Sequence, residues 1–200
     1  MKIVRAARPL TDADCDYWNR TSLSSTLAGP DRATVDRDEV LVAVTPGPRA
    51  EAAFEEIRAR LFAYDIFPPW FMQGVIWPDG PVAEGALIVQ RARFGSLAIE
   101  MAVRVVEVWD EVDGTSREVG FRYATIQGHA ERGVASFAVH RNVDGHVTVV
   151  LSARSRPGNR AAVLGRPVAR LLQRYMTRAA VRRLCAAGVR AASRAEPCLG

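Results

Sequence analysis

The chain is poor in lysine, cysteine and histidine. Of its 27 basic residues only Lys2 is a lysine, so arginine carries the net charge of +5. The three cysteines, Cys15, Cys185 and Cys198, are odd in number and too widely spaced for a disulfide framework or a zinc ribbon. No second histidine or cysteine stands at ligand spacing from His129. The sequence therefore predicts reduced thiols in a cytoplasmic protein, and no metal site.

Long apolar runs are also missing. None approaches the ~20 residues that span a bilayer, and residues 1–18 hold no apolar segment before their first acids, which argues against a secretory signal. The apolar fraction of 48% and charged fraction of 24% are those of a globular protein. The arginines concentrate from Arg154 onward at spacings that suit one helix face, which argues against a nucleic-acid partner. We predict no stable membrane insertion, and the sequence leaves a homodimer open.

Strand patterns dominate the rest of the chain. A first strand is predicted at Val35–Val44 and an amphipathic helix at Arg49–Tyr64, which Pro68-Pro69 ends. From Pro167 the apolar spacing of three and four residues predicts a long C-terminal helix. Turn-forming residues separate six further strands, whose short connections make neighbours antiparallel. These strands are Trp70–Trp77, Glu84–Arg93, Leu97–Trp109, Arg117–Gln127, Val134–Asn142 and His146–Arg154.

The two ends of the chain differ from its middle. Thr11 is placed to cap a helical turn or two at Asp12–Trp18, and Tyr17 and Trp18 are expected to dock this segment on the domain. Beyond Gly188 the residues are small and are expected to fray. We therefore predict an N-terminal arm at 1–35, one folded domain at 36–186 and a flexible tail at 187–200.

The order of elements predicts an α+β fold in which a curved, seven-stranded antiparallel sheet wraps around the C-terminal helix. A sheet of this length must curl, and its concave face needs a cover. One helix cannot fill a wide trough, so the arrangement predicts an internal, elongated apolar cavity. Such cavities are the usual form of a small-molecule site.

This order resembles the helix-grip superfamily, which includes START lipid-transfer domains, birch-pollen-allergen-like proteins and polyketide cyclases. The segments Val119–Thr125, Gly128–Gly133 and Ser155–Pro157, together with Phe137, also resemble a bacterial and plant family known as a domain of unknown function, with a GHPERGEE-type signature. The resemblance covers about residues 108–184.

The chain departs from that signature at three positions. Ala130 stands where the family usually has proline, and Val134 and Ala135 stand where it usually has two carboxylates. An activity that depends on those acids does not carry over to this chain.

Alternation within Arg117–Gln127 predicts which side chains face the cavity. Tyr123 and its neighbours at every second position form an aromatic face, and Leu87 and Val89 are expected to extend it. Glu100 has the opposite parity to Met101, so we expect it to point away. Trp70 and Trp77 follow the double proline and are candidates for a lid. The predicted ligand-binding residues are Phe121, Thr125, Phe137, Val139, Met101, Val103, Leu151, Trp70, Trp77 and Tyr175.

Three polar residues are candidates for catalysis: Tyr123, His129 and Glu131. Tyr123 could act as a weak general acid, and a carboxylate beside His129 would raise the pKa of its imidazole from ~6.5. The structural alternative is that the hydroxyl bonds to backbone or water and that the loop residues stabilise a turn.

We predict that the protein binds a small, largely apolar molecule of polyketide, isoprenoid or lipid type, without a cofactor. The alternative is a cyclase, dehydratase or isomerase of a secondary-metabolite pathway.

Overall fold

The computed structural model describes residues 1–24, 34–129, 131–157 and 166–195. Within these ranges the chain forms eight strands and three helices, in an order that matches the predicted one apart from an added first strand. No helix in these ranges is long and apolar enough to cross a bilayer. The elements are β1 (Lys2–Arg5), α1 (Asp12–Asn19), β2 (Thr34–Leu41), α2 (Pro48–Phe62), β3 (Met72–Trp77), β4 (Leu87–Phe94), β5 (Leu97–Asp113), β6 (Ser116–Thr125), β7 (Glu131–Arg141), β8 (Val147–Pro157) and α3 (Arg166–Arg194).

The strands form one antiparallel sheet in the order β2-β8-β7-β6-β5-β4-β3. Consecutive strands from β3 to β8 are neighbours, as their short connections predict. A register shift between Val105 and Glu107, where β5 meets β6, adds local bend and twist to the sheet. The α+β helix-grip fold is confirmed: a curved antiparallel sheet and a long C-terminal helix.

The strand β1 was not predicted. The strand β5 is 17 residues long, and β6 pairs only with its part from Val103 onward. The first residues of β5 therefore have a free edge, and β1 pairs there, with Lys2 opposite Glu100. Residues 2–5 are too short to show a period of their own, so their strand depends on the edge that β5 offers.

The helices follow local sequence signals at most of their ends. Thr11 caps α1 as predicted, and its hydroxyl and the Asp14 carboxylate also form a capping box. The helix α3 continues through Gly188 to Arg194, further than the small residues suggested. A Cβ at Gly188 would lie 2.8 Å from Ile57 Cδ1, so this glycine lets α3 approach α2 closely. The last five residues lie outside the described ranges.

The concave face of the sheet, called the inner face below, packs against α2 and α3. Phe54, Ile57 and Leu61 of α2 and Leu184 of α3 are fully buried in one core cluster with Phe121 of β6. The same cluster contains other inner-face residues of β5 to β8. The inner face beneath α2 is therefore a filled hydrophobic core.

The opposite face of the sheet is covered by residues 2–19, which comprise β1, α1 and the loop between them and are called the N-terminal segment below. Trp18 and Cys15 of α1 are buried against Leu87, Val89 and other residues of that face. Lys2 extends over the same segment, with its Nζ 3.5 Å from the centroid of the Tyr17 ring. The expected docking of Trp18 on the domain is therefore observed, and Tyr17 remains half exposed beside it.

The expectation for the face of β4 was wrong. Leu87 and Val89 lie under α1, whereas Ile88 belongs to the inner core beside Val103, its partner on β5. Trp77 pairs with Leu87 and packs with the same outer cluster. All three residues of the Leu-Ile-Val run are buried, because both faces of β4 are covered at this point.

Candidate functional site

An aromatic cluster occupies the middle of the inner face. The rings of Phe121 and Phe137 stack with centroids 5.3 Å apart, on adjacent strands. Tyr123 lies 5.4 Å from Phe137, and Phe67 meets the same ring edge-on at 6.1 Å. The predicted aromatic face is therefore present, and Phe67, from the loop after α2, adds to it.

A polar cluster of Tyr64, Gln90 and Tyr123 lies within this aromatic surface. Tyr64 and Gln90 are 5% and 3% exposed, and the Gln90 side-chain amide donates a hydrogen bond to the Tyr64 hydroxyl. Burial raises the pKa of Tyr64 well above its usual value, and the neighbouring Tyr123 raises it further. Burial also raises the pKa of Tyr123, while hydrogen bonding with Gln90 and Tyr64 lowers it in part. Both phenols therefore remain protonated at neutral pH.

The position of Tyr64 depends on an unusual backbone conformation. Its φ is 53°, in the left-handed region that non-glycine residues rarely adopt. Its ring lies over Gly74 of β3, where an added Cβ would stand 2.2 Å from Tyr64 Cδ1. Such conformations persist only where the surroundings enforce them, and they concentrate at functional sites. The strained backbone of Tyr64 and the lack of a side chain at Gly74 together allow the Tyr64 hydroxyl to reach the inner face.

The inner face is less completely covered at the end away from α2. Met101, Tyr123 and Glu131 alternate with outward-facing neighbours and share the parity of the inner core, yet each is partly exposed. Glu131 had been expected in the loop before β7, but it is the first residue of that strand. Its negative charge contributes to the raised pKa of Tyr123. Of the three candidate catalytic residues, these two share one face.

The other predicted ligand residues are distributed over several environments. Val103, Val139 and Leu151 are buried in the core. The buried Thr125 hydroxyl accepts a hydrogen bond from the Gly133 N–H at 3.0 Å and donates one to the Ser24 hydroxyl. Its hydrogen bonds are therefore made within the protein. The remaining residues are placed away from the inner aromatic cluster: Trp70 and Tyr175 are 62% and 55% exposed, and Trp77 lies on the opposite face.

His129 is held by backbone. Its Nδ1 lies 3.0 Å from both the N and the O of Glu131, and the adjacent Gly128 faces Trp18 of the N-terminal segment. Burial lowers the pKa of His129 to about 4, although the hydrogen bond to Glu131 raises it in part. The shift is thus opposite to the one expected from a neighbouring carboxylate. An imidazole of such low basicity is a poor general base near neutral pH.

The pKa of His129 predicts how stability changes with acidity. The unfolded chain binds a proton at His129 near pH 6.5, and the folded chain only near pH 4. The free energy of unfolding should therefore fall as pH decreases from 6.5 to 4, and His129→Gln should flatten this dependence. The full shift corresponds to at most about 3 kcal/mol, and the partial exposure of the ring reduces that value. Urea denaturation at several pH values measures it.

His146→Gln is the matched control, because His146 is exposed. It should leave the pH dependence between 6.5 and 4 as in the wild type. Equal pH profiles for the wild type and His129→Gln would contradict the assigned pKa.

A second group of buried polar residues lies on the opposite face. Glu100 points away from the inner face as expected, but it is 0% exposed because the N-terminal segment covers it. Its carboxylate lies 2.8 Å from a guanidinium nitrogen of Arg91 and accepts a hydrogen bond from Trp18 Nε1 at 2.9 Å. Arg91 also donates to the Arg8 carbonyl. This cluster fastens the N-terminal segment to the sheet. In the parts of the chain that the structure describes, no group of three or more His, Cys, Asp or Glu side chains could hold a metal ion.

Comparison with known proteins relates the chain to one family. The model of a family described as a domain of unknown function, DUF1990, matches residues 20–183, which include every strand of the sheet except β1. No curated protein is detectably similar in sequence.

Several solved structures are similar in fold. The hypothetical protein jhp0584 from Helicobacter pylori is 10% identical with a TM-score of 0.46, over 85% of this chain and 92% of that chain. Norcoclaurine synthase from Thalictrum flavum, solved with dopamine and hydroxybenzaldehyde, is 13% identical with a TM-score of 0.43, over 82% and 96%. The protein Ara h 8.0201 is 12% identical with a TM-score of 0.42, over 78% and 99%. Similarities this distant carry no argument about ligand or reaction.

Proposed function

The chain belongs to the DUF1990 family of domains of unknown function, and for it we propose the binding of a small, largely apolar molecule between the inner face of the sheet and α3. The observation that carries this proposal is the difference between the two ends of the inner face. Beneath α2 the apolar inner residues of β6 and β7, Val119, Phe121, Phe137 and Val139, are buried. At the other end Met101, Tyr123 and Glu131 retain exposure. Apolar surface that is concave and open at one end is typical of ligand sites.

The residues around this end suit an apolar ligand. Phe71 and Met176 form a small cluster there with Ala92 of β4, and Phe67 joins that cluster to the aromatic rings of the inner face. Met176 belongs to α3, so the helix covers this end as well. An aromatic and methionine lining favours flat or flexible hydrocarbon skeletons, which polyketides, isoprenoids and lipids share.

A saturable probe tests the binding. The neutral fluorophore N-phenyl-1-naphthylamine should bind the wild type at one site, with enhanced emission. Ala153 pairs with Ala135 in the same row of the inner face as Tyr123, so Ala153→Trp should fill the space and abolish saturable binding. Val112→Trp, at a position 68% exposed at the end of β5, should bind as the wild type does.

Two results would contradict the proposal. One is the absence of saturable binding to the wild type, and the other is equal binding by both tryptophan variants. Thermal unfolding of each variant checks that Ala153→Trp remains folded, and a smaller inner substitution, Ala153→Leu, serves if it does not.

The enzymatic alternative, a cyclase, dehydratase or isomerase, rests on Tyr123 and Glu131. A protonated phenol and a carboxylate on one inner face are a general acid and a general base that a bound substrate could reach. His129 has no part in this arrangement, because its ring is bonded to the backbone of the strand end. The alternative includes the binding site, so the probe experiment tests the step that both functions require.

A further inference from the structure

Five large apolar side chains are exposed at one end of the sheet and are called the exposed patch below. They are Ile3, Trp70, Phe94, Leu97 and Tyr175, and each is at least 43% exposed. Exposed apolar residues are normally scattered singly over a protein surface, whereas a group of them in one place marks an interaction site. Backbone pairing and ring contacts connect these five.

The strand residues of the exposed patch lie side by side. Phe94 and Leu97 pair across the β4–β5 turn, and Leu97 also stands opposite Arg5 of β1, two residues from Ile3. Paired residues of antiparallel strands point to the same face of a sheet, so all four side chains project from one side. Met101 has the same parity as Leu97 on β5, so this side is the open end of the inner face.

Ring contacts add the loop before β3 and the helix α3 to the exposed patch. The ring of Phe71 contacts those of Trp70 and Phe94, with centroids 5.9 and 5.7 Å apart. Phe71 is itself buried against Met176, the neighbour of Tyr175 on α3. The exposed rings are therefore held on a packed base rather than on a free loop.

The segments that carry the exposed patch are basic. Acids make up 22 of the 200 residues, yet none occurs in the four segments concerned, residues 1–11, 66–78, 85–99 and 166–195. Arg5, opposite Leu97, and Arg174, beside Tyr175, are both exposed. Glu100, the first acid after Leu97 on β5, is buried and paired with a guanidinium. The exposed patch thus combines apolar side chains with positive charge.

From this combination we propose that the exposed patch docks the protein on an anionic lipid surface. Trp70, Phe94 and Leu97 enter the boundary between headgroups and acyl chains, where aromatic side chains are favoured. Arg5 and Arg174 contact the lipid phosphates. The docking is peripheral and needs no spanning helix. It goes beyond the proposed function, because a protein can dock on a membrane without an internal site.

Two features of the exposed patch favour lipid over a protein partner. Its side chains come from a hairpin turn, a loop and a helix, and a fluid lipid surface accommodates such separate elements without a matching shape. Phe71 and Met176, which lie beneath it, also belong to the open end of the inner face. An apolar ligand could therefore pass between a bilayer and the proposed site without crossing water.

Flotation with lipid vesicles tests the docking. Vesicles of phosphatidylcholine with about 30% phosphatidylglycerol should bind the wild type about tenfold more tightly than vesicles of phosphatidylcholine alone. Each basic residue at an anionic surface strengthens binding about fivefold, so two that make contact are sufficient for this difference. Added salt should weaken the binding to the anionic vesicles, since it screens these charges.

Brominated acyl chains, which quench a tryptophan that enters the bilayer, locate the contact. Quenching in anionic vesicles should be lost in Trp70→Phe. Trp109→Phe is the matched control and should keep the quenching, because Trp109 lies against Gly120 toward the other end of β5.

The apolar contribution is tested by alanine substitutions. Trp70→Ala combined with Phe94→Ala should weaken binding to the anionic vesicles about tenfold, because two exposed rings are lost. Val112→Ala combined with Val143→Ala removes two exposed side chains at the opposite end of the sheet and should bind as the wild type does. Thermal unfolding of each variant checks that it is folded, and the single substitution Trp70→Phe serves where a double variant is not.

Several results would overturn this inference: no binding to anionic vesicles, equal binding to neutral and anionic vesicles, or quenching that persists in Trp70→Phe. A wild type that forms dimers, becomes monomeric in the Trp70 and Phe94 double variant and binds no vesicles would assign the exposed patch to contact between two copies instead. Each of these outcomes leaves the saturable binding of N-phenyl-1-naphthylamine untouched. Loss of that binding with vesicle docking intact would overturn the proposed function alone.

Discussion

Glu100→Ala should lower the free energy of unfolding by about 3–5 kcal/mol, the usual cost of removing one partner from a buried ion pair. The variant leaves the Arg91 guanidinium charged beneath the N-terminal segment, and it takes the acceptor from Trp18 Nε1. Arg91 is itself 7% exposed, so water cannot replace the carboxylate without local opening. Urea denaturation at pH 7 measures the loss.

Glu107→Ala is the matched control on the same strand. Glu107 pairs with Arg122 across the sheet, but the two side chains are 48% and 45% exposed. An exposed pair contributes about 0–1 kcal/mol, so this variant should be almost as stable as the wild type. Comparable losses in the two variants would mean that solvent reaches Glu100 in the folded protein. Replacement of both buried partners, Arg91→Met with Glu100→Leu, should recover much of the stability, because no unpaired charge remains.

Phe121→Ala should cost about 3–5 kcal/mol, as large-to-small changes of buried aromatics do. Phe121 is 0% exposed, and its ring contacts Phe62, Tyr64 and Phe137 with centroids at 6.3, 6.3 and 5.3 Å. These neighbours come from α2, the loop after it and β7, so they cannot move together to fill the space. Urea denaturation measures this loss as well.

Phe94→Ala removes a ring of the same size from a site that is 43% exposed. It should cost less than about 1 kcal/mol, because most substitutions near the surface have small effects. A loss for Phe121→Ala no greater than that for Phe94→Ala would mean that the inner face relaxes freely around the missing ring.

The sequence predicted the sheet well because its connections are short. Turn residues such as Gly95 and Gly114, both at positive φ, mark the strand ends and force antiparallel neighbours. The face of β4 could not be predicted in the same way. Leu87, Ile88 and Val89 are apolar in sequence and buried in the structure, so no alternation distinguishes the two sides. Only the register with β5 determines which side chain points inward.

The candidate site was predictable in part. Alternation on β6 placed Tyr123 with the aromatic rings of the inner face, where it is found. Its partners Tyr64 and Gln90 were not predicted, because the cluster joins the exit of α2 to the middle of β4. The left-handed backbone of Tyr64 has no local sequence signature. The burial of Glu100 likewise depends on Trp18, 82 residues away, and strand parity cannot show what covers the outer face.

The scarcity of lysine gives the N-terminal segment a chemical property of its own. Lys2 is the only lysine, and its ammonium lies over the rings of Tyr17 and Trp18. Amine-directed acylation of a side chain can therefore occur at one position, on the segment that covers Glu100. A side-chain acyl group therefore marks that segment alone, without the introduction of any mutation.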